Sequence, residues 1–296
     1  MKHTLTQIIV LLFIWLSFTP AVLAQVNPVQ NQAYFNPYIY NPAWAGHSGF
    51  RQLFVGVKTQ WLNVDGAPTM ATATFDMPVS DGLSMAGQII NIHQGPFNRL
   101  MTQAGASYKV TLQEKRFLSF GLSVGFDHLN FNAQALDDPN DPAVASVAIN
   151  EINLTGSAGL AYTHDNWKAG LSLPNLLAPT SVVEPDQNHQ PWDYLIGSVS
   201  YTYRYSTDWK ITPTIFYHHY GNFADQIEGG LKLDYRSKIW AGGLFRQDYG
   251  ATAFLGIDIS KMFNVNYLYS FSSVSANLPN DSHEIVLGVK FGKKQQ

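Results

Sequence analysis

The 296-residue sequence predicts an all-β fold: a transmembrane, antiparallel outer-membrane β-barrel of about 14 strands with short periplasmic turns and longer extracellular loops. Three observations lead there. Period-2 alternation of apolar and polar residues dominates from residue 51 to the end, and helical periodicity is scarce. Most alternating segments run about ten residues, the length a tilted strand needs to cross a bilayer. Connections alternate between tight polar turns and longer loops, the asymmetry of a barrel that inserts from the periplasm.

The chain opens "MKHTLTQIIVLLFIWLSFTPAVLAQ", with Lys2, an apolar run from Ile8 to Phe18, and the small residues Val22 and Ala24 before a cut at Gln25. Residues 1–24 therefore read as a Sec signal peptide, and the apolar run is shorter than the roughly 20 residues of a spanning helix. The sequence has no cysteine, which excludes disulfides, zinc–thiolate sites, a cysteine nucleophile and a lipid-modified N-terminus. Charged residues make up 13% and aromatics 14%, against about 25% charged in ordinary soluble domains. The formal net charge of −3 gives no footprint for nucleic acid. Beyond the leader no apolar stretch approaches a spanning helix, so a membrane-embedded mature chain must cross with strands.

Residues 25–50 stand apart from the strands. In "YFNPYIYNPAWAG", Asn36-Pro37 and Asn41-Pro42 fix φ at each proline, hold the preceding asparagine extended and remove ladder donors, so a regular strand is excluded. Ala43, Ala45 and Gly46 permit close backbone approach, while Trp44 and the tyrosines supply large anchors with polar tips. Two expectations follow. The segment is either a rigid linker leading into the first strand, or a plug packed into the periplasmic half of the barrel near Lys58, Gln60 or Trp61, closing the lumen and presenting a partner surface.

Residues 51–292 carry the barrel, with 293–296 as a C-terminal tail. Strands are expected near 51–61, 68–77, 83–92, 100–112, 116–129, 152–163, 166–173, 194–205, 208–217, 226–235, 238–247, 250–259, 262–272 and 283–292. In "FLSFGLSVGFD", Leu118, Phe120, Leu122, Val124 and Phe126 share one face, and Ser119, Gly121, Ser123, Gly125 and Asp127 the other. "HEIVLGVKF" sets Ile285, Leu287, Val289 and Phe291 against Glu284, Val286, Gly288 and Lys290. Tight turns fall at "PVSDG", "QEK", "HDN", "STD", "RSK" and "SK"; longer loops fall at 130–151, 174–193, "HHYGNFAD" and "SVSANLPND". With the aromatic faces in lipid, the lumen receives Lys58, Asp76, Lys109, Asp127, Arg204, Lys210, Glu228, Lys232, Asp234, Arg246, Asp258, Glu284 and Lys290. The signs nearly balance, which favours ion-pair networks over a selectivity ring. A lumen of this width needs an inserted segment to close it.

Other chemistries find little support. His218 and His219 are adjacent on a strand end and point to opposite faces, a poor chelate. The acidic "DDPNDP" offers Asp137, Asp138, Asn140 and Asp141 as oxygen ligands for calcium but lacks EF-hand spacing, so a polar loop is favoured. A hydrolase needs a histidine beside Ser123 or Ser157, and no adjacent strand places one in the lumen-facing register. No metal, cofactor or catalytic role is expected. A passive porin or hydrophobic-solute channel is the main alternative function.

"NPAWAG" (Asn41, Pro42, Ala43, Trp44 and Ala45 to Gly46), "KTQW" (Lys58 to Gln60 and Trp61) and "GAPT" (Gly66, Ala67, Pro68 and Thr69) resemble the N-terminal signature of the PorP/SprF family of type IX secretion system membrane proteins. The resemblance implies an accessory outer-membrane barrel that catalyses nothing and sits in outer-membrane lipid. It also implies partners: secretion components in the periplasm and outer membrane, or a secreted surface adhesin or its C-terminal sorting domain, in support of gliding motility in bacteria that glide. The motif residues become the candidate partner-binding or plug positions. One departure is Lys58, where the family commonly places arginine; lysine keeps the charge but not the bidentate fork.

Overall fold

The computed structural model describes residues 31–62, 64–132, 149–177, 190–221, 224–247, 249–271 and 281–292. The expected leader, the acidic stretch 137–142 and the tail 293–296 lie outside the described residues.

Alternating sequence produces a single antiparallel sheet. Its segments are β1 (Arg51–Gln60), β2 (Thr69–Pro78), β3 (Leu83–Gln94), β4 (Phe97–Gln113), β5 (Arg116–Phe131), β6 (Asn150–His164), β7 (Trp167–Leu173) and β8 (Tyr194–Tyr201). They continue with β9 (Tyr203–Arg204), β10 (Trp209–Tyr220), β11 (Gln226–Tyr235), β12 (Ile239–Arg246), β13 (Gly250–Asp258), β14 (Phe263–Phe271) and β15 (Ser282–Phe291). β8 and β9 both pair with β10 and form one strand interrupted at Thr202, so 15 segments make 14 barrel strands. β1 pairs with β15 from Arg51↔Phe291 to Gln60↔Ser282, and β10 with both β8 and β11, which closes the sheet.

The alternation sorts side chains as a membrane barrel requires. On β5, Phe120, Leu122, Val124 and Phe126 are 47–60% exposed on the outer surface, while Ser119, Ser123 and Asp127 are buried on the inside. On β15, Ile285 and Leu287 face out, and Glu284 and Val286 are buried. An outward apolar side chain in mid-strand meets lipid, so Val124→Arg should destabilise the folded barrel by about 2–4 kcal/mol, read from urea titration in bilayers. Two tight turns place Lys115 (φ 59) and Asp165 (φ 51) in the left-handed region, as two-residue hairpin connections demand.

Several strands outrun the lengths read from the sequence. β4, β5 and β6 have 17, 16 and 15 residues. The β3–β4 connection shrinks to Gly95 and Pro96 because the ladder continues to Gln94↔Phe97. Ring contacts sustain the extension: Phe97 packs on Phe131 at 5.2 Å. His218 to Tyr220, expected in a loop, belong to β10, where Tyr220 stacks on Tyr194 at 5.0 Å.

The anticipated inward charges Lys58, Asp76, Asp127, Glu228, Arg246 and Glu284 are all buried. Arg99 also reaches the lumen, since β4 starts three residues earlier than the sequence suggested, and it pairs with Asp127 at 2.6 Å. Residues 31–46 lie inside the barrel as three short 3-10 turns, Asn31–Tyr34, Pro37–Ile39 and Pro42–Trp44, and the chain then leaves by an exposed His47 to reach β1.

Candidate functional site: the segment inside the barrel

The inner segment is built on a five-residue period that sequence reading overlooked. Asn31, Asn36 and Asn41 recur every five residues, and each opens or caps one of the three turns. All three are buried, at 2%, 1% and 0% exposure, and each donates its side-chain amide to the barrel wall. Asn31 donates to Ser270 Oγ at 3.1 Å and Asn36 to Thr74 Oγ1 at 2.7 Å. Asn41 donates to the carbonyls of Leu160 (3.0 Å) and Leu171 (3.2 Å), while its Oδ1 accepts from the Ala43 N–H at 2.9 Å. Aromatic anchors drew attention in the sequence, but the repeated asparagines set the register of the segment against the wall.

Further polar contacts tie the segment around the lumen. Gln32 donates to Thr72 Oγ1 at 2.8 Å, Ser172 Oγ donates to the Tyr40 carbonyl at 2.5 Å, and Ser107 Oγ donates to the Ala45 carbonyl at 2.8 Å. The Gly46 N–H donates to Asp76 Oδ2 at 2.8 Å, and Gly46 itself holds φ 70 where the chain turns toward β1. Buried polar groups of this kind cost free energy unless paired, so the wall hydroxyls are the complement of the segment's amides.

Apolar contacts fill the spaces between. Tyr34 and Phe35 pack on Phe54, Leu244, Phe254, Leu268 and Val286. Ile39 joins Met70, Ile90 and Ile92; Tyr38 and Ala45 meet Ala86; Ala43 and Trp44 meet Ala161. Tyr40 lies edge-on to Phe216 at 5.3 Å.

Glycines in the wall make the fit possible. A Cβ on Gly121 would stand 2.6 Å from Ala43 Cα, and one on Gly159 would stand 2.9 Å from Asn41 Cγ. The inward glycines of β5 and β6 thus form the seat of Asn41 to Ala43. Asn41→Ala should lower stability by about 3 kcal/mol, because three buried hydrogen bonds lose a partner, and thermal unfolding in detergent measures it.

The sequence-predicted residues divide into two groups. Asn41, Pro42, Ala43 and Trp44 are buried in this seat, with Gly46 beside them on Asp76. Gln60, Trp61, Gly66, Ala67 and Pro68 lie in and beside the β1–β2 connection at the long-loop rim. There the Gln60 N–H donates to the Pro68 carbonyl, the Trp61 N–H to the Asp281 carbonyl, and the Gly95 N–H to the Gly66 carbonyl, each at 2.9 Å. The two ends of the segment differ: Asn31 and Gln32 bond Ser270 and Thr72 on the side of Lys58 and Gln60, whereas Gly46 lies on Asp76, eight residues or roughly 26 Å along β2 from Pro68. Lys58 lies between the groups, opposite Glu284 in the β1–β15 register, and Asn31 and Gln32 approach that carboxylate.

The remaining candidates resolve individually. Ser123 and Ser157 touch through their hydroxyls at 2.5 Å, and Ser123 donates to Gln103 Oε1 at 2.9 Å. His218 faces the lumen between Phe216 and Tyr220, whereas His219 points away and bonds Asp225 at 2.7 Å. A hydrogen bond from Tyr217 holds the Asp225 carboxyl below its usual range. Among the described residues no three side chains form a metal-binding group.

The segment separates two cavities. One, of about 130 Å³, lies on the long-loop side and is lined by Ile39, Ile90, Ile92, Met101, Ile196 and Phe216 together with the Arg99–Asp127 and Arg246–Glu228 pairs. The other, of about 440 Å³, lies toward the short-turn rim and is lined by lysines, aspartates and the rings of Trp44, Phe35 and Trp240.

Comparison with known proteins places this architecture. The model of the type IX secretion system membrane protein PorP/SprF matches residues 22–289, almost the whole chain. The chain belongs to the PorP/SprF family. No protein of curated function matches it. Among solved structures it is similar to the P. putida toluene transporter TodX (TM-score 0.54, 11% identity, covering 86% of this chain and 93% of that one). It is also similar to the CymD monoaromatic hydrocarbon channel (TM-score 0.54, 12% identity, 92% and 96% covered). The Ralstonia pickettii toluene transporter TbuX gives the same TM-score of 0.54 at 12% identity, with 86% and 93% covered. At these identities the likeness is one of fold. This PorP/SprF protein is accordingly a closed 14-strand barrel of the outer-membrane type, associated through its family with type IX secretion.

Proposed function

We propose that this PorP/SprF protein is an accessory outer-membrane barrel of type IX secretion, whose segment within residues 25–50 closes the lumen and whose periplasmic side holds a secretion component or the sorting domain of a secreted adhesin. One observation carries the reading. The segment is bonded to β2, β4, β6, β7, β8 and β14, so it is built into the barrel rather than laid against it. A barrel filled in this way serves as a platform, and no catalytic step is assigned to it. Under this reading the leader directs export through Sec, the outer surface meets lipid, and gliding motility follows only where the client is a gliding adhesin.

Photo-crosslinking in whole cells from His47 and Ser80, near the short-turn rim, tests the reading. Recovery of a type IX component or client supports it, and recovery of none overturns it. Deletion of the gene should remove specific proteins from the cell surface and leave outer-membrane permeability unchanged.

A second reading, a hydrophobic-solute channel, draws on the apolar cavity of the long-loop side and on the hydrocarbon channels that share the fold. It requires the wild-type protein to speed entry of small apolar solutes into liposomes, which the closed platform would not do.

A further inference from the structure

The inward charges segregate along the barrel axis. In the middle and upper lumen they are matched: Arg246 with Glu228, Arg99 with Asp127, and Lys58 opposite Glu284. At the short-turn end the cavity of about 440 Å³ receives Lys168, Lys210, Lys232 and Lys290 against only Asp234 and Asp258, a surplus of two positive charges. Asp234 pairs with Lys232 at 3.4 Å, and Lys290 acts on Asp258. Lys210 instead donates to the hydroxyl of Ser237 at 2.8 Å, and Lys168 stands over the ring of Trp44 at 5.9 Å. Asp234 stands opposite Lys210 in the β10–β11 register but is already engaged by Lys232, so two ammonium groups remain in excess of the cavity's carboxylates.

We infer that this vestibule binds an acidic, extended polypeptide segment of a partner protein, with Lys168 and Lys210 taking its carboxylates. Charge selects the occupant, and low-dielectric walls focus the field of the surplus lysines into the opening. The lining suits a peptide. Ser198, Ser200, Thr202, Thr212 and Thr214 carry hydroxyls along one wall to meet main-chain groups, and the partly exposed Trp240 offers a ring to side chains. A continuous strand wall separates the cavity from the bilayer, so a lipid headgroup has no lateral route in. The inference deepens the proposed function, on which it rests for the partner's being a protein, by giving the chemistry of the partner's segment.

The test uses full-length protein in a neutral detergent and a fluorescent peptide of alternating Glu and Ser, with a Gln counterpart as control. The Glu peptide should bind, weaken as salt rises, and lose about tenfold in affinity to the Lys168→Gln/Lys210→Gln variant, the effect of two partly screened ion pairs. Lys115→Gln, in a turn outside the cavity, should leave binding unchanged, and thermal unfolding confirms that each variant is folded. Equal binding of the Gln peptide, or full affinity in the double variant, overturns the inference. Anionic nanodisc lipid that occupies the same lysines and excludes the peptide overturns it in favour of a headgroup. In cells the two claims separate. A type IX partner that crosslinks equally to wild type and the double variant defeats the vestibule and spares the platform, whereas no partner at all defeats the platform whatever the peptide does.

Discussion

Replacing Gly121 with leucine should unseat the inner segment. The new Cβ alone would collide with the Pro42–Ala43 peptide, and the wall behind it is a hydrogen-bonded strand paired on both sides to β4 and β6, which cannot retreat. Either the segment leaves or the barrel strains. Overpacking a tight contact costs about 1–3 kcal/mol, and departure of the segment forfeits the three asparagine anchors and the burial of Trp44, so a loss of about 3 kcal/mol is expected. Urea unfolding in detergent reads the loss, and protease should cut between residues 31 and 50 in the variant but not in wild type. Gly229→Leu is the control: it lies on the outer register, and a Cβ there meets nothing within 4 Å. If Gly121→Leu matches Gly229→Leu in both assays, the segment is not seated on β5.

The second large effect concerns Arg246 and Glu228. They are register partners on β12 and β11, with side chains 7% and 3% exposed, and they form a direct ion pair beside the hydroxyl of Tyr34. Removing one partner of a buried pair strands the other charge, so Arg246→Ala should cost about 3–5 kcal/mol, well above the cost of truncating an exposed arginine. The double variant Arg246→Met/Glu228→Leu removes both charges and should recover most of that loss. Non-additivity of the two single variants in a double-mutant cycle measures the coupling. An Arg246→Ala variant as stable as wild type would mean that water reaches the pair.

Much of the barrel was legible because its information is local. Alternation in "FLSFGLSVGFD" names the outward and inward faces of β5 without reference to any other strand, and the same holds for β15. Strand ends were less legible. β4 begins at Phe97 rather than residue 100 because a cross-strand partner, Phe131, extends the ladder, and partners are invisible in one strand's own pattern.

The inner segment divides along the same line. Its prolines exclude a strand, and its small and aromatic residues mark a packed element, both from local chemistry. Its position required the wall. The grouping of "NPAWAG" with "KTQW" in sequence suggested a shared location, yet β1 carries the second motif to the opposite rim. The asparagine period at 31, 36 and 41 was present in the sequence. It lacked meaning until Ser270, Thr74 and the β6–β7 carbonyls were seen to receive it. The glycines of β5 and β6 read as ordinary alternation for the same reason: a close approach has two sides, and only one is in the strand.

The functional reading places most weight on closure. Planar-bilayer recording compares purified wild-type protein with a variant lacking residues 31–46, each shown by heat-modified gel mobility to be folded. Wild type should be nearly silent, and the deletion should conduct through the vacated lumen. Steady conductance by wild type, or silence from a folded deletion variant, would contradict the account that this segment closes the barrel.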